Sequence, residues 1–382
     1  MNNYRRLTLG IELINEPGWM GGTLYLRNLA LSLARLPAGE RPRIRLLGSA
    51  LAVAAVVRAS GSPSLFANER GNNLFIRFVR RLGWHHRASD KIDVVYPGFG
   101  AGWPGAVKVH WVPDFQHRHL PAMFQPGEIA ARDKSIGAIA STPGVVVFSS
   151  QVAAEDFRRF FPDNLATPRV WHFCSLIAPK RAPSDSSPKI LRNVPDKYLY
   201  LPNQFWVHKN HINVLKALAL LREKQQLKIP LVCTGAQSDR RNIEHFNNLR
   251  GFIREKGLGN QIHLLGLLAR DEQVEVFRRA AAIVQPSLFE GWSTVVEDAR
   301  AIGRPIFLSD IPVHREQNPP SAHFFNPQSE EELAALLATN WASLNSGPDH
   351  ATEQHAKAKT EARVLNSARE FCEIVEKAIT TS

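Results

Sequence analysis

Short apolar runs bounded by glycine, proline and small polar residues alternate along the chain with longer segments whose apolar positions recur every three or four residues. In the first half, residues 7–11, 44–47, 94–96, 107–111 and 145–148 read as buried strands. Residues 23–36, apolar at 26, 29, 33 and 36, read as a helix, and residues 151–161 as another. Between the first strand and its helix, Gly18-Trp-Met-Gly21-Gly22 reads as a glycine-rich turn, the opening of a mononucleotide-binding fold. It lacks the full G-x-G-x-x-G pattern, so Gly21 and Gly22 are taken to let backbone approach a ligand or a facing domain.

Residues 178–188 are rich in proline and serine and read as a linker. Beyond them the alternation restarts, with strands at 197–201, 231–235, 262–265 and 282–285 and helices at 212–221, up to 256 and at 271–280. A helix capped by Ser329 and a long terminal helix reaching residue 378 complete the chain. Two such halves predict an α/β protein made of two doubly wound, Rossmann-like domains facing a central cleft. The expected division is 1–196, 197–360, and a C-terminal helix at 361–382 that packs back on the first domain.

Two polar clusters follow predicted strands, where parallel sheets bind ligands. In Trp111-Val-Pro-Asp114-Phe-Gln-His117, Asp114 and His117 are site candidates, although His110, His117 and His119 with one acid match no metal-ligand spacing. The richer cluster is Pro286-Ser-Leu-Phe-Glu290-Gly-Trp-Ser-Thr-Val-Val-Glu297-Asp298-Ala-Arg-Ala-Ile-Gly303-Arg-Pro305. It reads as a buried strand end, a turn with one acid, a helix with two more acids, and a further strand. Thr294 and Glu297 have capping-box spacing, which starts the helix near Ser293 or Thr294 and gives Glu297 a cap role. The free amides of such a helix start make an anion site.

Composition narrows the class. The chain has 382 residues, and 44% hydrophobic residues suffice for two cores. Cys174, Cys233 and Cys372 lie far apart, against a disulfide framework or a zinc site. Neither a signal-like leader nor an apolar run of membrane-spanning length is present, so a cytoplasmic location is expected. The net charge of +12 points to nucleic acid, an anionic membrane face or a polyanionic substrate. In residues 74–87, Leu74, Phe75, Phe78, Val79 and Leu82 share one helical face edged by Arg77, Arg80, Arg81 and Arg87. That pattern suits a helix lying on an anionic bilayer, or a sheet-covering helix with a basic solvated side.

The stretch from Pro286 through Pro305 resembles the P-S-x-x-E-G-(x)6-E-A-x-x-x-G-x-P signature of the GT-B glycosyltransferases, within them the large retaining group called family 4. Leu265-Gly266-Leu267-Leu268, Thr234-Gly235, Lys209 and Gly21-Gly22 fall in the order that family shows. The resemblance implies that Glu290 hydrogen-bonds the donor sugar and that the ribose is held by Asp298, an aspartate where the family has glutamate, with the neighbouring Glu297 as the alternative. Gly266, Leu267 and Leu268 would lie by the base. Lys209 would neutralise the leaving diphosphate, helped by the amides of Ser293, Thr294 and Val295. Where relatives carry an arginine five or six residues before the lysine, this chain has Gln204 and Asn203. The family's catalytic histidine maps loosely onto His110 or His117, beside Asp114.

The function so implied is retaining transfer of a hexose, of mannose or glucose type, from a GDP- or UDP-sugar to a hydroxyl of a glycan, a lipid-linked acceptor or a cell-surface polysaccharide. No cofactor is expected, and lack of an Asp-x-Asp motif suits metal-independent chemistry. Peripheral contact with an anionic membrane is a further expectation. A nucleotide-sugar epimerase or phosphorylase of the same architecture is the near alternative. A non-catalytic nucleic-acid-binding protein is the distant one, disfavoured because aromatic and basic residues do not interleave.

Overall fold

The computed structural model describes residues 6–14, 19–66, 91–99, 103–177 and 189–380. Gly18, the basic segment at 74–87 and the linker at 178–188 lie outside the described residues. The first sheet contains β1 (Thr8–Glu12), β2 (Arg43–Leu47), β3 (Val94–Tyr96), β4 (Val107–Val112), β5 (Gly144–Phe148) and β6 (Ala166–Val170). Its order is β2-β1-β3-β4-β5-β6, and every pairing is parallel. Interior β5 is buried from Val145 to Phe148, as a strand covered on both faces must be. The edge strand β6 carries Pro168, whose missing N–H costs nothing there.

The second sheet contains β7 (Leu199–Leu201), β8 (Leu231–Cys233), β9 (Ile262–Leu264), β10 (Ala282–Gln285), β11 (Ile306–Ser309) and β12 (Ala322–Phe325). Its order is β12-β11-β10-β7-β8-β9, again parallel throughout. Chain direction along the sheet reverses between β7 and β10, so the segments leaving these neighbouring strands diverge and open a crevice at their carboxyl ends.

Around the first sheet lie α1 (Met20–Arg35), α2 (Ala50–Ser60), α3 (Gln116–His119), α4 (Pro126–Ala140) and α5 (Gln151–Phe160). Around the second lie α6 (His211–Gln225), α7 (His245–Glu255), α8 (Arg270–Arg279), α9 (Thr294–Ile302), α10 (Pro312–Gln317) and α11 (Glu330–Asn340). The last helix, α12 (His350–Thr380), returns to the first half. Its Ala368, Phe371, Ile374, Val375 and Ala378 share a core with Leu26, Leu29 and Leu33 of α1 and with Tyr96, Trp111 and Trp171. Trp171 Nε1 donates to the Ser367 carbonyl at 2.8 Å, which fixes the register of this docking. The division expected at 360/361 falls inside this 31-residue helix.

One local expectation is corrected. The glycine pair is not a turn, because α1 begins at Met20 and holds Gly21 and Gly22 in its first turn. A Cβ on Gly22 would lie 2.8 Å from the Trp19 ring, so this glycine admits an indole of its own chain, and both glycines also line the cavity described below. Trp19 stacks on Trp111 with ring centroids 5.5 Å apart, and the other neighbour of Trp111 in the stack, Tyr25, lies at 4.0 Å.

Candidate active site

A cavity of about 820 Å³ lies where the carboxyl ends of both sheets meet. Trp19, Tyr25 and Trp111, with Pro113 and Asp114 after β4, supply one wall. The opposite wall comes from segments after β7 (Asn203, Gln204, Lys209) and after β10 (Glu290 to Val295). The two walls touch at Gly291, where a Cβ would lie 2.5 Å from the Pro113 carbonyl oxygen.

Glu290 is the hub of the second wall. Its Oε1 accepts from Lys209 Nζ at 2.7 Å, Gln285 Nε2 at 2.8 Å and Ser287 Oγ at 2.7 Å. Asn203 Nδ2 in turn donates to Gln285 Oε1 at 2.7 Å, extending the network to the end of β7. Burial alone would raise the Glu290 pKa, but the Lys209 ammonium, nearby His314 and the hydrogen bonds outweigh it and hold the carboxyl below its usual value. Glu290 is therefore an ionised acceptor at neutral pH. Among the described residues its Oε2 has no protein donor, which leaves that oxygen for a ligand hydroxyl. His314, fully buried against Ser309, is pushed down to about 4, chiefly by burial, and is neutral at pH 7.

Helix α9 starts at this hub with Ser293 as N-cap and no side-chain cap. The orphan amides of its first turn thus belong to whatever fills the cavity, with Thr294 and Val295 lining it. The Ser293 amide does not join them, because it donates to Gln317 Oε1 at 3.1 Å. Glu297 is not a cap either. The N-cap is one residue earlier than the capping-box spacing assumed, so Glu297 turns inward, accepting from Arg363 of α12 at 3.1 Å and Gln317 at 3.3 Å.

Asp298 lines the cavity but is not free. Arg270, the first residue of α8, binds it bidentately at 2.7 and 2.5 Å, and Ser175 Oγ of the first half donates to it at 2.6 Å. The structure corrects three other expectations. His117 is fully buried with Nε2 3.0 Å from Asp133 and Phe115 and Phe124 beside it, so it does not reach the cavity. His110 does not reach the cavity either. Leu267 lines the cavity, whereas Gly266 and Leu268 do not: the Gly266 carbonyl accepts from the Gly235 amide at 2.8 Å, and Leu268 packs on the second core.

The cavity gathers residues that sequence reasoning missed: Gln285, His208, Arg240, Arg241 and Arg270. Gln285 was visible in principle, as a polar residue closing an otherwise apolar buried strand. Arg270 carried no such signal, because a helix-start arginine is ordinarily solvated.

Residues 184–358, which hold β7 to β12 and the Lys209–Glu290 network, match the family described as Glycosyl transferases group 1. This segment, somewhat under half of the chain, is similar to the group 1 glycosyltransferases. The O-antigen chain mannosyltransferase RfbU of Salmonella typhimurium is 24% identical to this chain over 148 residues. That match spans 39% of each chain, well under two thirds of the relative's length. Sucrose-phosphate synthase from Thermosynechococcus elongatus superposes with a TM-score of 0.66 at 16% identity, covering 99% of this chain and 100% of that one. A glycosyltransferase from Rickettsia africae gives 0.64 at 15% with the same coverage. Anabaena HepE, solved with UDP and glucose, gives 0.62 at 14%, covering 97% and 100%. At such identities the likeness is one of fold: the described residues have the two-sheet GT-B architecture.

Proposed function

We propose that the protein transfers a hexose, of mannose or glucose type, from a nucleotide-diphosphate sugar to an acceptor hydroxyl, with retention and without a metal. The observation that carries this reading is the Lys209–Glu290 pair at the uncapped start of α9, at the switch point between β7 and β10. Glu290 Oε2 accepts a hydroxyl of the donor sugar, while Lys209 and the amides of Thr294 and Val295 face the departing diphosphate. The anomeric C–O bond to the diphosphate breaks and a bond to the acceptor oxygen forms on the same face. The acceptor proton passes to the released phosphate oxygen. Asp114, on the opposite wall, is placed to orient the acceptor. Closure of the cavity limits hydrolysis by excluding water.

A glycan, lipid-linked or polysaccharide acceptor is supported by the mannosyltransferase named above and by the net charge of +12. Among the described residues no helix is long and apolar enough to cross a membrane. Peripheral binding to an anionic membrane follows from the charge, and vesicle sedimentation that rises with anionic lipid and falls with salt tests it. A thermal-shift panel of nucleotides and nucleotide sugars identifies the donor, since a true ligand raises Tm with concentration. Replacing Glu290 with Gln should then abolish transfer while the fold persists, and full activity in that variant would sink the proposal.

A further inference from the structure

A donor diphosphate brings more than one negative charge into this cavity, yet Lys209 already stands 2.7 Å from Glu290 and is neutralised by it. Asn203 and Gln204 offer amides only, and the Asn203 amide is committed to Gln285. The Ser293 amide is committed to Gln317. Arg240, Arg241 and Arg270 line the cavity besides Lys209, and of these Arg270 meets the geometric conditions for a second cation near the start of α9. It lines the cavity and is gripped by Asp298, which lies one helical turn after Thr294 and so on the same face of α9 as that free amide.

The hydrogen-bond inventory of Arg270 points the same way. Nη1 spends both hydrogens, on Gln273 Oε1 at 2.8 Å and on Asp298 Oδ2 at 2.7 Å. Nη2 uses one, on Asp298 Oδ1 at 2.5 Å. Nε–H and the second Nη2–H have no protein acceptor among the described residues, and the side chain retains 21% exposure. Asp298 by contrast is 4% exposed in its side chain, with three of its acceptor positions filled by Arg270 and Ser175. It cannot receive two vicinal hydroxyls without releasing the guanidinium. An aspartate at this position, one methylene shorter than glutamate, leaves the room that the guanidinium occupies.

We infer that Arg270 is the phosphate-binding cation of the donor site and that Asp298 is its positioning residue rather than a ribose ligand. This rests on the donor-site reading above. Two free donors of a fixed guanidinium suit phosphate oxygens, for which arginine is better shaped than lysine. Ser175 links the pair to the first half, so donor phosphate and the relation of the two halves meet at one carboxylate.

Calorimetric titration of the full chain with uridine and guanosine, their monophosphates and their diphosphates tests the inference. In the wild type, affinity should climb with each phosphate. In Arg270→Gln, diphosphate binding should weaken by roughly ten- to a hundredfold, the value of one or two charge-assisted hydrogen bonds, while nucleoside binding is unchanged. Because that variant strands the buried Asp298 carboxylate, the double variant Arg270→Gln/Asp298→Asn serves as the folded control and should show the same phosphate-selective loss. Asp298→Asn alone should also weaken the diphosphate more than the nucleoside, with losses in the double variant less than additive. Equal loss for nucleoside and diphosphate, or an unchanged diphosphate in the double variant, overturns the role of Arg270 while leaving the donor site standing. A folded wild type that binds no nucleotide overturns both.

Discussion

Gly291→Ala tests whether the facing walls of the cavity must touch. Gly291 does not have a positive φ, so its backbone accepts alanine without strain, and any effect reads the added methyl alone. That methyl would stand 2.5 Å from the Pro113 carbonyl oxygen and 3.0 Å from Asp114 Cβ. A carbon–oxygen contact relaxes at about 3.3 Å or beyond, so the two walls must separate by roughly 0.8 Å. Both obstacles are backbone or near-backbone atoms and cannot swing aside. Overpacking of this kind costs about 1–3 kcal/mol, and a misplacement near 1 Å between reacting groups costs about a hundredfold in rate. We expect kcat/KM to fall about ten- to a hundredfold with only a small decrease in Tm. Gly251→Ala, where a Cβ would meet nothing within 4 Å, provides the control and should behave as wild type. Steady-state transfer assays with thermal unfolding decide the matter. Wild-type kcat/KM in Gly291→Ala, or a loss matched by Gly251→Ala, would refute the reasoning.

Other consequences are open to measurement. Because Glu290 is held below its usual 4.5, its carboxylate stays ionised at and above that pH; donor binding by calorimetry should not depend on this group between about pH 5 and 7, and should fail only in stronger acid. Glu316 of α10 accepts from the Gln151 and Val152 amides at the start of α5 and sits 2.7 Å from His172 Nε2. Burial would raise its pKa, but those partners lower it, so its contribution is fully present above 4.5 and is lost as pH falls through the lowered value. Glu316→Gln should cost about 1–3 kcal/mol in urea unfolding at pH 7, with the difference closing in acid. Phe371→Ala, at a site with no exposure, should cost about 3–5 kcal/mol and weaken the first half despite lying at the far end of the chain. Chelation by EDTA should leave the transfer rate unchanged if Lys209 and the α9 amides stabilise the leaving group as proposed.

The fold was largely legible because parallel strands buried on both faces are near-continuous apolar runs, as in Val145 to Phe148, and their alternation with helices admits few architectures. Strand β12, Ala-His-Phe-Phe with three half-exposed residues, gave a weaker signal and was not foreseen. In the site, the α9 start was readable from spacing, whereas the roles of Lys209 and Glu290 came from the resemblance to the glycosyltransferase signature. His117 misled because a polar residue after a strand can turn inward as easily as outward, and here Asp133 on α4 offered it a partner. Asp298 was placed correctly on its helix, but its occupation by Arg270 depends on a loop between β9 and α8 that no periodicity describes.

The return of α12 means that the polypeptide crosses between the halves twice, once in the segment ahead of β7 and once on the way back. A single crossing would permit twisting about the linker as well as bending. With two crossings and a long helix docked by Phe371 and Trp171, the halves are joined like a lid with two hinge leaves. That double connection holds the halves so that Pro113 of one meets Gly291 of the other. A fragment ending at residue 358, where the family match stops, would cut α12 and leave the apolar groove of α1 uncovered. The half built on the second sheet is thus separable in sequence but not in substance.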